Sequence, residues 1–219
     1  MFLLGVTVFQ LSDVPTTFTL PKGNYQFSFN FYNGGSITGQ FLVGIFDSWT
    51  VGFSLDTKGV IGDGNVTVSR PNVMTTILLY DDGMKYPSIA IGYNPQWFGA
   101  YGPAKGAFLV FGWQFAQFLD NPDFIFFGPA VGYDPFVKEP PFIHLFAAVS
   151  VPLGANFLLS AEIDNVGVNQ PSVAFLNFKI LFRVADNLDI ELHFQRFAPW
   201  YPPYVVPSRI FRVAYEASF

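Results

Sequence analysis

Apolar and polar residues alternate with a period of two along most of the chain after Lys22. Successive side chains of a β-strand point to opposite faces, so each alternating run predicts a strand. The first run places Tyr25, Phe27 and Phe29 on one face, with polar residues between them. We predict twelve strands, at residues 24–31, 40–45, 49–56, 73–80, 88–93, 108–118, 124–133, 143–150, 157–164, 176–183, 188–195 and 209–219.

The predicted strands are about ten residues long, which is enough to cross a bilayer at a tilt of roughly 45°. Turns after the even-numbered strands are short, as at residues 47–48, and connections after the odd-numbered strands are mostly long, as at residues 198–208. The connection at residues 33–36 is the exception. Because the strand number is even, both chain ends fall on the side of the short turns. This separation of loop lengths is typical of outer-membrane barrels.

Composition supports a membrane protein that crosses the bilayer with strands. Only 12% of the 219 residues are charged, against about 25% in ordinary soluble domains, whereas 51% are hydrophobic and 28 are Phe. No run approaches the roughly 18 apolar residues of a membrane helix, and lipid accepts only helices and closed barrels. We therefore predict an all-β fold, a transmembrane antiparallel up-and-down β-barrel of about twelve strands at residues 23–219. The chain has no Cys, and its net charge of −5 argues against nucleic acid as a partner.

The two faces of the predicted strands differ in the way that a narrow barrel requires. The polar face carries mostly Gly, Ala, Ser, Asn and Gln, which suit a barrel interior, and the apolar face would meet lipid. The strands at 108–118 and 124–133 are apolar on both faces. In the first of these strands, the alternation is best satisfied if the outward side chains are those of Leu109, Phe111, Trp113 and Phe115.

The last strand ends in a terminal Phe that follows apolar residues at every second position. Phe211, Val213, Tyr215 and Phe219 share one face of it. This pattern resembles the C-terminal signal of bacterial outer-membrane β-barrel proteins, which the barrel-assembly machinery recognises. The resemblance implies a location in the bacterial outer membrane, with lipid and that machinery as partners. A closing edge strand of a soluble sheet is the alternative interpretation.

A second resemblance covers segments between Gly44 and Tyr93. Ile61-Gly62-Asp63-Gly64 and Arg70-Pro71-Asn72 are similar to segments of YjbH-like envelope barrels. That resemblance implies a role in surface polysaccharide export, and no catalytic residue carries over from it.

Residues 1–12 resemble the apolar core of a secretory signal without its positive start. We interpret residues 1–22 as a signal remnant or an N-terminal lead-in segment. An ordered N-terminal strand or plug is the alternative.

Charged residues at predicted interior positions concentrate in the last four strands. They are Glu162, Asp164, Lys179, Arg183, Asp189, Glu191, His193, Arg212 and Glu216. Opposite charges on neighbouring strands are expected to pair. The cluster predicts either a charged constriction that selects solutes or a salt-bridge network that plugs a narrow lumen.

Two loops between strands are rich in aromatic residues. The aromatic side chains are Trp97, Tyr101, Trp200, Tyr201 and Tyr204. They predict either a contact surface for sugars or proteins or a set of rings folded over the barrel mouth.

Enzymatic chemistry has little support in the chain. His144 and His193 both fall on interior faces, and neither a G-x-S-x-G motif nor an H-E-x-x-H motif occurs. We therefore expect no enzyme, no metal and no cofactor. The first functional hypothesis is a passive pore or small-solute channel, and the second is a structural or surface-interaction barrel with a plugged lumen, linked to surface polysaccharide. An outer-membrane hydrolase ranks third, and the oligomeric state stays undefined.

Deleting Phe219, or replacing it with a charged residue, is expected to impair barrel assembly, because the last strand would lose its terminal aromatic side chain. The yield of heat-modifiable barrel in the membrane fraction measures this effect. Normal insertion of either variant would contradict the interpretation of the last strand as an assembly signal.

Overall fold

A computed structural model describes residues 11, 14–62, 65–69, 71–81, 85–95, 106–118, 121–132, 141–168, 174–196 and 207–219. Within these residues the chain forms thirteen β-strands. They are β1 (Asn24–Tyr32), β2 (Ile37–Phe46), β3 (Trp49–Lys58), β4 (Thr67–Val68), β5 (Asn72–Tyr80), β6 (Ser88–Asn94), β7 (Gly106–Phe118), β8 (Asn121–Gly132), β9 (Phe142–Pro152), β10 (Phe157–Gly167), β11 (Phe175–Ala185), β12 (Leu188–Gln195) and β13 (Ser208–Ser218). The described residues include no helix long and apolar enough to cross a membrane.

The long strands form one closed antiparallel sheet. Each pairs with its neighbours along the chain, and β1 pairs with β13, from Asn24 opposite Ser218 to Tyr32 opposite Ile210. The two-residue strand β4 pairs only with the end of β3. The described residues therefore form a barrel of twelve long strands, which confirms the predicted fold. Closure pairs the backbone N–H and C=O groups that a sheet edge would leave open.

The outer surface of the barrel is apolar. Each of the twelve long strands described carries exposed large hydrophobic side chains; Phe29 and Phe53, for example, are each 51% exposed. In β7, Trp113 and Phe115 are exposed and Val110 is buried, as the parity of the sequence predicted. Soluble proteins rarely expose apolar surface of this extent, whereas lipid covers it. The fold is that of a transmembrane barrel.

Both chain ends are tied together at one end of the barrel, which we call the terminal end. The amide of Phe219 donates to the carbonyl of Gly23 over 3.1 Å, and the amide of Gly23 donates to the carbonyl of Gly44 over 3.0 Å. The rings of Tyr25 and Phe219 stack with their centroids 5.4 Å apart. We call the opposite end, where β1 turns into β2, the loop end.

The inner surface has two chemically different halves. The apolar half consists of buried hydrophobic residues of β6–β11: Ala90, Phe108, Val110, Phe126, Ala130, Phe146, Ala148, Leu158 and Leu181. Between them, β9–β11 also carry buried polar residues: His144, Ser150, Ser160, Glu162, Asp164, Asn177 and Lys179. The polar half consists of buried polar residues of β12, β13 and β1–β3: Gln26, Ser28, Asn30, Thr38, Gln40, Thr50, Ser54, Glu191, His193, Gln195 and Arg212. The apolar half explains why β7 and β8 are apolar on both faces, since one face meets lipid and the other meets the contents of the lumen.

A charge on the lipid-facing side should destabilise the barrel according to its depth. Ile180 lies at the middle of β11 and Val184 lies near its terminal end, on the same outward face. We expect Ile180→Arg to lower the free energy of unfolding by about 2–4 kcal/mol, and Val184→Arg by about 0–1 kcal/mol. Urea unfolding in lipid vesicles measures both values. Equal effects of the two substitutions would contradict the assigned membrane depth.

Candidate functional site in the barrel lumen

A segment of the chain that precedes β1 occupies the lumen. We call it the luminal segment; it comprises Leu11 and residues 14–22. It enters from the terminal end, where the amide of Lys22 donates to Oδ1 of Asp47 over 2.9 Å. Leu20, farther inside, is fully buried. Residues 1–10, 12 and 13 lie outside the described residues, so the interpretation of residues 1–12 as a signal remnant stays a prediction.

The barrel wall holds the luminal segment partly through its backbone. The amide of Leu20 donates to Oγ1 of Thr50 over 2.7 Å, and the amide of Val14 donates to Oε2 of Glu162 over 3.2 Å. Thr50 belongs to β3 and Glu162 to β10, so the segment crosses the lumen from one side of the barrel to the other.

The apolar side chains of the luminal segment pack in two places. Leu20 lies in a small cluster with Leu42 and Met74, and the others pack on the apolar half. Leu11 and Val14 are part of the same buried cluster, and Phe18 packs against its edge. The ring of Phe18 makes edge-to-face contacts with Phe124 and Phe126, with centroid distances of 5.0 and 5.6 Å. Burying a large apolar side chain stabilises a fold by about 1.5–3 kcal/mol, so this packing helps to hold the segment in the lumen.

Two inward-facing glycines make room for the luminal segment. A Cβ atom on Gly44 would overlap the carbonyl oxygens of Leu20 and Pro21, and a Cβ atom on Gly112 would overlap the side chain of Thr17. Where two backbones approach this closely, only glycine fits without displacing the neighbouring chain. The wall of β2 and β7 is therefore shaped for an occupant at these two points.

Glu191 is the centre of a buried charge network in the polar half. Its carboxylate accepts hydrogen bonds from Arg212 over 2.6 Å and from Lys179 over 3.3 Å, and it lies 2.7 Å from Nε2 of His193. Arg212 also donates to Oε1 of Gln26 over 3.0 Å. The strand register explains the grouping, because Glu191 lies opposite Arg212 across β12–β13 and His193 lies opposite Lys179 across β11–β12.

Other predicted charges lie apart from this network, towards the terminal end. Arg183 donates twice to the carboxylate of Asp189, over 2.9 and 3.2 Å, in a partly exposed pair. Glu216 accepts a hydrogen bond from the side chain of Asn24 over 3.1 Å.

The last two predicted charges lie in β10. Glu162 binds the amide of Val14, and Asp164 lies 3.9 Å from Nε2 of His144. Glu162 also interacts with Lys179 of the Glu191 network, whereas the pairs Arg183–Asp189 and His144–Asp164 form separate groups. Among the described residues, no three His, Cys, Asp or Glu side chains are placed to hold a metal ion.

A small cavity remains between the luminal segment and the wall of β2–β7. Its volume is about 60 Å³, and it is lined by Thr16 and Phe18 of the segment and by Leu42, Met74 and Phe108 of the wall, among others. Pockets for small organic ligands measure about 300–1,000 Å³, so this space holds water but no sugar-sized solute. The luminal segment thus leaves little free space in this cavity.

The remaining residues singled out in the sequence lie elsewhere. The proposed assembly face points outward, with Phe211, Tyr215 and Phe219 exposed and Val213 partly exposed. The aromatic loop residues lie outside the described residues: Trp97, Tyr101, Trp200, Tyr201 and Tyr204.

Sequence reasoning named an N-terminal plug only as an alternative and did not identify the residues that fill the lumen. Val14, Phe18 and Leu20 precede the first strand and follow no strand pattern. Two signals pointed to them, namely the doubly apolar strands β7 and β8 and the inward glycines Gly44 and Gly112. Neither signal names the segment that fills the space.

The strand pairing defines the class of protein: within its described residues, the chain is a closed twelve-stranded transmembrane β-barrel. No protein-family model and no curated protein matches the chain. Among solved structures, a KdgM porin in complex with disordered oligogalacturonate is similar, with a TM-score of 0.49 and 8% sequence identity over 90% of this chain and 99% of that chain. The fold assigned here rests on the strand pairing and not on this distant likeness.

Removing the carboxylate of Glu191 should destabilise the barrel strongly, because Lys179 and Arg212 would stay buried without their shared anion. We expect Glu191→Gln to lower the free energy of unfolding by about 3–5 kcal/mol, the usual effect of breaking a buried ion pair. Asp189→Asn is the matched control, since its pair with Arg183 is partly exposed and should matter less. Equal losses in urea unfolding would contradict a central role for Glu191.

Proposed function

We propose that this protein is a bacterial outer-membrane channel for small solutes, and that the luminal segment occludes it in the conformation described. Opening then requires the segment to leave the lumen through the terminal end. The observation that carries the proposal is that the lumen is occupied by a separate stretch of chain and not only by side chains of the wall.

The contacts between the luminal segment and the wall are of a kind that allows the segment to leave the lumen. The segment is joined to the wall by apolar packing and by a few hydrogen bonds, such as those at Thr50 and Glu162. The network around Glu191 joins wall to wall, across β11, β12, β13 and β1. Withdrawal would therefore leave the barrel closed and its charge network intact. In the open channel, that network would form the selectivity region.

Two features support a location in the outer membrane. They are the closed barrel with an apolar exterior and the aromatic C-terminal face at Phe211, Tyr215 and Phe219. In that location the barrel-assembly machinery would insert the protein.

A structural or surface-interaction barrel is the second candidate. The cavity beside Thr16 and Phe18 favours it, because its volume is only about 60 Å³. Such a barrel would act through the connections at its loop end, with surface polysaccharide as the partner that the sequence resemblance implies.

A disulfide that reversibly fixes the luminal segment to the wall distinguishes the channel from the structural barrel. The chain contains no Cys, so Thr17→Cys and Gly112→Cys would introduce one defined pair, at positions whose side chains would overlap. In planar bilayers we expect stepwise conductance from the reduced double variant and its loss on oxidation. Each single variant is a control that oxidation should leave unchanged. Absence of conductance steps from the reduced protein, in a barrel shown to be folded, would exclude the channel.

A substitution that crowds the luminal segment should have the opposite effect. Gly112→Ala places a methyl group against Thr17, and we expect it to raise the frequency of open events. Gly39→Ala is the matched control, because that glycine faces outward and its added methyl group would lie 3.6 Å from Phe29, an ordinary contact. An unchanged open frequency in a folded Gly112→Ala barrel would contradict occlusion by the luminal segment.

A further inference from the structure

The luminal segment makes both apolar and hydrogen-bonding contacts with the lumen wall. Leu11, Val14 and Phe18 pack on the apolar half. Backbone amides of the same segment donate to polar atoms of Thr50 and Glu162. The lumen thus accommodates an elongated occupant that combines apolar packing with hydrogen bonds to the wall.

Withdrawal of this occupant would expose the apolar half inside the channel. Each square ångström of apolar surface left in water costs about 25 cal/mol, and the side chains concerned include Phe108, Phe126 and Phe146. An ion or a free sugar does not cover such a surface, whereas a hydrocarbon chain does. Barrels that pass polar solutes have polar interiors instead.

The central charges of the lumen are balanced. Lys179 and Arg212 face the carboxylates of Glu191 and Glu162, the second of which interacts with Lys179. A head group with a net charge would disturb this balance where the dielectric constant is low. Hydrogen-bonding capacity is nevertheless present, because Nε of Arg212 has no hydrogen-bond partner and Glu162 would lose the amide of Val14.

Building on the proposed channel, we infer that the solute is a single-chain amphiphile with a neutral, hydroxyl-bearing head group, such as a monoacylglycerol. Its acyl chain lies on the apolar half, in the place of Leu11, Val14 and Phe18. Its hydroxyl groups face Arg212 and Glu162.

Photolabelling tests this inference, because inward and outward residues alternate along each strand. The probe is a monoacylglycerol with a diazirine in its acyl chain, added to phosphatidylcholine vesicles that hold the Thr17→Cys/Gly112→Cys double variant. In the reduced protein we expect mass spectrometry to find label on Phe108, Val110 and Phe126. Oxidation should abolish this inner label. Label on the outward residues Leu109 and Phe127 should persist, since the probe also dissolves in the bilayer.

Matched comparisons test whether the head group must be neutral and whether the apolar wall binds the acyl chain. A fatty acid with the same diazirine chain is expected to give less inner label at neutral pH, and equal labelling would overturn the neutral head group. Phe126→Asn should reduce inner labelling, whereas Phe127→Asn, one residue along β8 and facing outward, should not. If Phe126→Asn does not fold, the labelling map of the reduced double variant still decides.

The experiment distinguishes failure of the amphiphile inference from failure of the proposed channel. Conductance that appears on reduction without inner label would overturn the amphiphile and leave the channel standing. Absence of both conductance and inner label would overturn the channel and the amphiphile together.

Discussion

Pairing of β1 with β13 is the interaction on which the rest of the structure depends. Lipid offers no partners for backbone N–H and C=O groups, so each strand in the membrane must be paired along both edges. The register from Asn24–Ser218 to Tyr32–Ile210 supplies the last of these edges. Once the ring is closed, alternate residues are assigned to lipid or to the lumen. The same closure holds Gly23 and Phe219 together at the terminal end, from which the luminal segment enters.

A closed barrel then has an interior that must be filled or hydrated, and here the two halves are filled by different means. In the polar half, cross-strand register brings Arg212, Lys179 and His193 to the carboxylate of Glu191. In the apolar half, wall side chains such as Phe126 leave space that Phe18 and its neighbours occupy. The charge network links wall strands to one another, whereas the described residues of the luminal segment contribute no strand to the sheet. In the proposed channel, the segment is therefore the part that moves.

Local patterns predicted much of the fold because they depend only on residues close together in the chain. A strand alternates with a period of two whatever lies beside it, so the strands and their outward faces were readable, even in β7, where Trp113 and Phe115 had to be chosen over residues of similar hydrophobicity. His144 and His193 were likewise placed inside, and both are buried. The grouping of the charges was not readable in this way. Arg183 meets Asp189 and Arg212 meets Glu191 because of pairings that a single strand does not specify.

By itself, the sequence determined the number of long strands, their apolar and polar faces and the grouping of short turns on one side, since each is set by neighbouring residues. The two-residue strand β4 was not predicted. Only the tertiary structure decided what lies in the lumen. Val14 and Glu162 are 148 residues apart, and their hydrogen bond exists only after the ring has closed around the luminal segment. The doubly apolar strands signalled an apolar content of the lumen, but the identity of that content depends on contacts across the barrel, which no local period encodes.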